Sequence, residues 1–420
     1  MYQKLMNRDF SLVVIGQIIS LFGNSILRFA LPLYLLDQTG SSALFGSVLA
    51  ISMIPMILFS PIAGMVADRV NRRNIMVILD FSTAVLVAVF GLLHASGNPA
   101  LLVAIMLICL SVIQAFYQPA VQASIPVLSS TNNLLRANAI INQVQSLSNL
   151  IGPILGGMLY SVWGVVPVIW ASAASFLFSA VMEIFIHIPF ERRTANGGIL
   201  ATAANDLKES LHFMIRERPV ILRVVIFVSL FNLALSSLIT VGVPSMVKIT
   251  LRLSSSLYSL TQVLLAAGAL CGGILAGILA PKLSLRNMHW VLFLASLCLL
   301  PIGISLALGA SIMFSYVVIT TCGFVFMGLG TLFSVMMLAF LQKETPRHLI
   351  GKVLSYVVGL SICSQPVGQA LYGFLFDALV EQPQWILFVA VVFSVIVWIP
   401  PFSVDYASCQ TVCVTSGGQG

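Results

Sequence analysis

Long apolar stretches follow one another along nearly the whole chain, separated by short polar punctuation. A helix that crosses a bilayer needs about 20 mostly apolar residues. The pattern predicts spans at 10–36, 43–67, 74–95, 99–127, 138–162, 165–189, 220–248, 255–280, 288–308, 310–341, 351–379 and 384–402. Turn-forming runs mark the cuts: Thr39-Gly40-Ser41-Ser42, Gly97-Asn98-Pro99, Ser129 to Asn133, and Glu381-Gln382-Pro383.

Polar residues inside the spans recur at helical spacing. The first span carries Gln17, Ser20, Asn24 and Arg28 on one face. The fourth carries Ser111, Gln114 and Gln118; the fifth Asn138, Asn142, Gln145 and Asn149; the seventh Ser229, Asn232, Ser236 and Thr240; the eleventh Ser361, Gln365 and Gln369. Polar groups facing lipid are costly, so such stripes converge on each other or on water. Together they predict a wet cavity whose substrate-binding side chains are Gln17, Asn24, Arg28, Gln114, Gln118, Asn142, Gln145, Asn232, Ser236 and Gln365.

Charges inside spans stand out, because each costs on the order of 2.5–3.5 kcal/mol at the centre of a membrane helix. They are Arg28, Asp80 and Glu183, with Asp37 and Asp377 at span boundaries. Arg28 either binds an anionic substrate group or pairs with a carboxylate. Asp80 is expected to pair with a loop arginine, and Glu183 to snorkel to the near surface. All three are candidates for proton coupling.

Composition agrees with the pattern. The 420 residues are 59% hydrophobic and 8% charged, where soluble domains carry roughly a quarter charged residues, and the mean hydropathy is +1.05. A soluble protein is excluded. The net charge of +7 does not point to nucleic acid, because the cations sit in clusters between spans. With both termini inside, 17 of the 20 Lys and Arg fall in or beside cytoplasmic segments, Lys248 and Arg252 fall outside, and Arg28 lies within a span; this is the positive-inside asymmetry.

The polar stretch near 190–218 divides the chain. We expect a six-helix bundle at 1–189, a cytoplasmic linker at 190–219, a second six-helix bundle at 220–402 and a cytoplasmic tail at 403–420. In the linker, Leu207, Leu211, Met214 and Ile215 share one face, which predicts a helix lying on the membrane surface. The halves are weak repeats at a shift of 213 residues, a transporter plan in which substrate binds between halves near the midplane. The first span is too long for a signal-peptide core and reads as a retained helix.

Other chemistries find little support. The seven cysteines are scattered and the five histidines lie at loops and span ends, so neither a metal centre nor an intramembrane enzyme is expected. Gly351-Lys352 lacks the rest of a phosphate loop. No cofactor is implied, and an ion gradient is the expected energy source. A non-transporting sensor remains a rival that measurable flux would dismiss.

Two motifs carry mechanism. Gly64-Met-Val-Ala-Asp68-Arg69-Val-Asn-Arg72-Arg73 follows the second span, with a degenerate copy at Gly277 to Arg286. The run Gly152-Pro153-Ile-Leu-Gly156-Gly157 lies in the fifth span; small residues let helices touch and the proline removes a backbone donor. The first run resembles the loop motif of the major facilitator superfamily, and the second is similar to the antiporter motif of its exporting branches. Tyr34 to Ser41, Gln118-Pro119-Ala120 and Pro346 to Val353 resemble the macrolide-efflux and siderophore-exporter branch. The resemblance covers residues 8–402.

It implies an all-α membrane protein of two six-helix pseudo-repeats. It implies export of small amphipathic molecules by alternating access, in exchange for protons, with importer, symporter or uniporter as the alternative. Gly64, Asp68, Arg69, Arg72, Arg73, Gly152, Pro153, Gly156 and Gly157 would serve the conformational switch. A monomer in a bacterial plasma membrane is expected. Two departures matter: Ser148 stands where relatives carry a further glycine, and the arginine of the fourth span is missing, where this chain reads Ser111 to Pro119.

Overall fold

The computed structural model describes residues 8–129, 133–189, 215–216, 219–279, 288–346 and 350–398. Among them the chain is helical throughout its regular structure. The first six helices are α1 (Arg8–Thr39), α2 (Ser42–Arg69), α3 (Arg72–Leu93), α4 (Pro99–Leu128), α5 (Leu134–Trp163) and α6 (Val165–Ile184). The later part holds α7 (Pro219–Phe231), α8 (Ser237–Pro244), α9 (Ser255–Leu279), α10 (Met288–Leu297), α11 (Leu299–Ala307), α12 (Ile312–Glu344), α13 (Ile350–Ala378) and α14 (Gln384–Trp398). Each expected span is matched by a helical rod. The linker helix falls almost wholly outside the described residues, as do Cys409, Cys413 and the tail.

The predicted punctuation does its work through side chains. Ser41 Oγ accepts from Leu44 N at 3.1 Å, and Asn98 Oδ1 accepts from Ala100 N and Leu101 N at 3.0 and 3.3 Å. Each satisfies donors that a helix start leaves open. Between α5 and α6 the turn is a single residue, Gly164, with φ +75°. A side chain there would be strained.

Two spans depart from regular helices. The seventh is α7 and α8 joined by a π turn, Asn232–Ser236, and followed by another, Ser245–Thr250. Ser237 Oγ donates to the Asn232 carbonyl at 2.7 Å, so the widened turn keeps a partner for that oxygen. The ninth breaks at Cys298, between α10 and α11. Pro301 explains it: it offers no N–H to the carbonyl four residues earlier, and its ring crowds that group.

The described chain divides into two compact units. The first holds the described residues of 1–211 together with Leu253–Gln262 and Gln365–Phe374; the second holds the remainder. In the first, α1 packs on α5 and α6, α2 on α4, and α3 on α4 and α6. Two apolar clusters fill it. One includes Phe10, Val14, Met76, Tyr117 and Ile186; the other includes Leu27, Leu31, Ala84, Leu107 and Phe176. The polar positions of α1, α3 and α6 fall between them.

In the second unit α9 and α12 touch through glycine. A Cβ on Gly268 would strike the Phe324 carbonyl, and one on Gly272 the Gly328 carbonyl. Phe231 stacks on Phe326 with centroids 6.4 Å apart. Membrane helices lack a hydrophobic drive to associate, so close backbone approach supplies the contact. Gly272→Val should therefore destabilise the protein by about 1–3 kcal/mol, measured as a lower apparent melting temperature in detergent. Gly277→Ala, whose added Cβ meets open space, should leave the midpoint within experimental error.

Candidate functional site

In the first unit, helices α1, α3, α4 and α6 each contribute to one buried polar layer. Ser20 Oγ on α1 donates to Asp80 Oδ1 on α3 at 2.8 Å. Tyr117 on α4 donates to Glu183 Oε1 on α6 at 2.7 Å. The two pairs adjoin: Tyr117 lies beside Ser20, Ser179 lies beside Asp80, and the two carboxylates are within electrostatic reach of each other. Asp80 and Glu183 are each 1% exposed.

Sequence logic explains the packing. Gly16 lets α6 come close to α1, for a Cβ there would sit 3.4 Å from Glu183 Cγ and 3.5 Å from Ser179 Oγ. Ser179 Oγ donates to the Gly16 carbonyl at 3.0 Å, tying the helices together. Yet the layer is incompletely satisfied. Asp80 Oδ2, Glu183 Oε2 and both amide atoms of Gln17 are buried without a hydrogen-bond partner. Buried carboxylates are ordinarily paired with a cation; among the described residues neither acid is.

This corrects the expectations for both acids. The arginines near Asp80 are engaged elsewhere, Arg72 Nε donating to the Ala67 carbonyl at 3.2 Å and Arg73 to the Ile184 carbonyl. Glu183 does not snorkel; α6 carries it inward, where Tyr117 meets it. Among the described residues around the end of α6, Arg73 Nε is buried without a partner and Asp9 accepts from the His187 amide.

Two turns further along α1, Arg28 makes a second polar centre. Its Nε donates to Asn24 Oδ1 at 2.6 Å and its Nη2 to Ser111 Oγ at 2.9 Å. Gln17 belongs by burial to the carboxylate layer, being 0% exposed. Gln114 and Gln118 are half-buried, and Gln118 Nε2 has no partner. On α5, Asn142 is exposed and Gln145 donates to Asn149 at 3.2 Å. Gln365 is half-buried.

In the second unit, Asn232 Nδ2 donates to the Ser361 carbonyl at 3.2 Å, and Ser364 Oγ to the Ser229 carbonyl at 2.8 Å. Ser236 is half-buried in the π turn.

The switch residues fall in two places. Gly64 has open space around it, Arg69 is exposed, and the side chain of Asp68 lies outside the described residues. Gly152 and Gly156 of α5 press on α1: a Cβ would meet Ser25 in one case and the Ile26 carbonyl, at 2.9 Å, in the other. Pro153 sits between them inside an unbroken α5. Gly157 faces Phe29 and Ser259, and nearby Asp37 accepts from Tyr160 at 2.8 Å and Ser255 at 3.2 Å. Phe29 stacks on Tyr258, centroids 5.7 Å apart.

Ser20 lies on the polar stripe of the first span, whereas periodicity singled out neither Tyr117 nor Ser179. A tyrosine in an apolar span reads as bulk, although Tyr117 stands three residues after Gln114, the spacing of one helix face.

A bundle of apolar helices with buried ionisable groups and internal polar stripes defines a membrane transporter. The Major Facilitator Superfamily model matches residues 13–364, and the chain belongs to that family. It is similar to macrolide efflux protein A of Streptococcus pyogenes, 25% identical, with 86% of this chain and 88% of that protein covered. It is also similar to the multidrug efflux pump Tap of Mycolicibacterium fortuitum, 24% identical over 85% and 86% of the two chains. Among solved structures, nucleoside transporter NupG gives a TM-score of 0.67 at 15% identity, covering 93% of this chain and 97% of that one. A bacterial homologue of the iron transporter ferroportin gives 0.66 at 18% identity, covering 94% and 99%. The protein is a transporter and not an enzyme.

The pairing of Tyr117 with Glu183 makes a thermodynamic prediction. Tyr117→Phe strands a buried carboxylate oxygen and should cost about 1–3 kcal/mol, read as a lowered apparent melting temperature. In a Glu183→Leu background the same substitution should cost clearly less; equal costs would mean the hydroxyl does not serve Glu183.

Proposed function

We propose that this chain exports small amphipathic molecules by alternating access, in exchange for protons, from the cytoplasm of a bacterial cell. Export is supported by efflux relatives whose match runs through both halves of the sequence. The 17-to-2 placement of cations favours cytoplasmic termini. Arg28, Asn24 and Gln114 are the cargo-binding candidates of the first unit, and Asn232 and Ser236 those of the second. The loop from Gly64 to Arg73 and the glycine seam of α5 on α1 act as the moving joints. A single chain carries the whole pathway.

The observation that carries the exchange is the buried layer. Two carboxylates share it, each with an unpartnered oxygen, and no cation among the described residues balances them. An uncompensated charge in a low-dielectric interior is costly, so the layer takes up positive charge. A proton is small enough to enter without disturbing the Ser20 and Tyr117 hydrogen bonds. Loading from outside and release inside then alternate with the passage of cargo.

Everted membrane vesicles energised to an acid interior test this. A panel of macrolides, dyes and siderophores should collapse the pH gradient when the cargo is included. Asp80→Asn and Glu183→Gln should each slow that collapse at least about tenfold, equivalent to ~1.4 kcal/mol in the barrier. Undiminished uphill export by both variants would reject the carboxylates as the proton carriers.

A further inference from the structure

Arg28 is a cation held by neutral groups. Of the five N–H donors of a guanidinium, one goes to Asn24 Oδ1 and one to Ser111 Oγ. Both acceptors are uncharged. The hydrogens on Nη1 have no partner among the described residues, and Nη1 is absent from the sealed, unpartnered atoms of the interior. Arg28 as a whole is half-buried. The side chain is thus clamped along one edge and left open at its end.

The acids of the first unit's spans meet hydroxyls and not the guanidinium. Asp80 is taken by Ser20, Glu183 by Tyr117, and Asp37, nine residues further along α1, by Tyr160 and Ser255. No carboxylate pairs with Arg28 among the described residues. A guanidinium without a counter-ion inside a membrane span is expensive, and an incoming negative group offsets that cost. The clamp also removes much of the conformational entropy that binding would otherwise consume.

We propose that the cargo carries an oxyanion, a carboxylate or a group of the same geometry, that docks on the free end of Arg28. This rests on the transporter reading above and names its substrate class. The planar donor fork matches a carboxylate edge with two parallel charge-assisted hydrogen bonds. A cation lacking an acidic group meets a like charge at the same position and is disfavoured. An amphipathic zwitterion or anion satisfies both the guanidinium and the apolar walls.

A matched pair of dyes isolates the charge: tetramethylrhodamine, with a free carboxylate, and its methyl ester, with the same ring system and none. Binding to the purified full-length protein in neutral detergent is followed by fluorescence anisotropy, and flux by uptake into proteoliposomes. The acid should bind at least about tenfold more tightly than the ester, the scale of a hydrogen bond to a charged group. Arg28→Gln should bring the acid down to the level of the ester, while Arg28→Lys, keeping the charge but not the fork, should retain part of the preference. Size-exclusion and melting profiles confirm that each variant is folded. Acid binding no stronger than ester binding, or a preference that survives in Arg28→Gln, overturns the proposal. An Arg28-dependent preference without flux of either dye upholds the anion site and counts against the export reading instead.

Discussion

The interior of a bilayer offers no hydrogen-bond partner, so every polar group placed within a span must be met by another part of the protein. The first unit follows from that constraint. Its apolar side chains gather into two clusters, and what cannot join them collects in the layer between. The carboxylates of Asp80 and Glu183 each find one hydroxyl. The remaining oxygens, and the amide of Gln17, do not. Structures rarely leave such groups unmet, and here four of the unmet atoms lie where two acids adjoin.

Helix α1 is the element that links this layer to the rest. Gly16 and Gly23 face α6, the latter against Phe176; Ser25 and Ile26 receive the glycines of α5; Ser20 reaches α3; Arg28 reaches α4. Any displacement of α1 along α5 therefore moves the carboxylate layer and the guanidinium together. The close contacts at Gly152 and Gly156 leave no slack for side chains, so the two helices slide or separate as rigid surfaces. Ser20 and Arg28 thus tie the carboxylate layer and the guanidinium to one helix at separate positions.

The second unit solves the same constraint without buried charge in its stripes. Asn232 and Ser364 satisfy carbonyls across α13 and the seventh span, and the π turn at Asn232–Ser236 shifts the register of the polar face. Glycines on α9 and α12 supply the close approach. The buried carboxylate pair belongs to the first unit, whereas the bonds between the seventh span and α13 are made by neutral amides and hydroxyls. Both fall within the family assignment, which the fold and the match over residues 13–364 carry together.

Hydropathy alone determined the helical spans, because a span is a local property: enough consecutive apolar residues to cross a fixed thickness. Turn residues located the caps for the same reason. Helical periodicity located the polar stripe holding Asn24 and Arg28. Partnership was decided only by the tertiary structure. Ser20 meets Asp80 across 60 residues and Tyr117 meets Glu183 across 66; no spacing rule reaches that far. Asp80 looked close enough along the chain to pair with an arginine, but α3 turns it inward while Arg72 and Arg73 bond backbone carbonyls. The break at Cys298 has a local signal in Pro301, whereas the π turn at Asn232 arises from how a single carbonyl finds its donor. Sequence composition states which groups are costly to bury; the fold decides which of them meet.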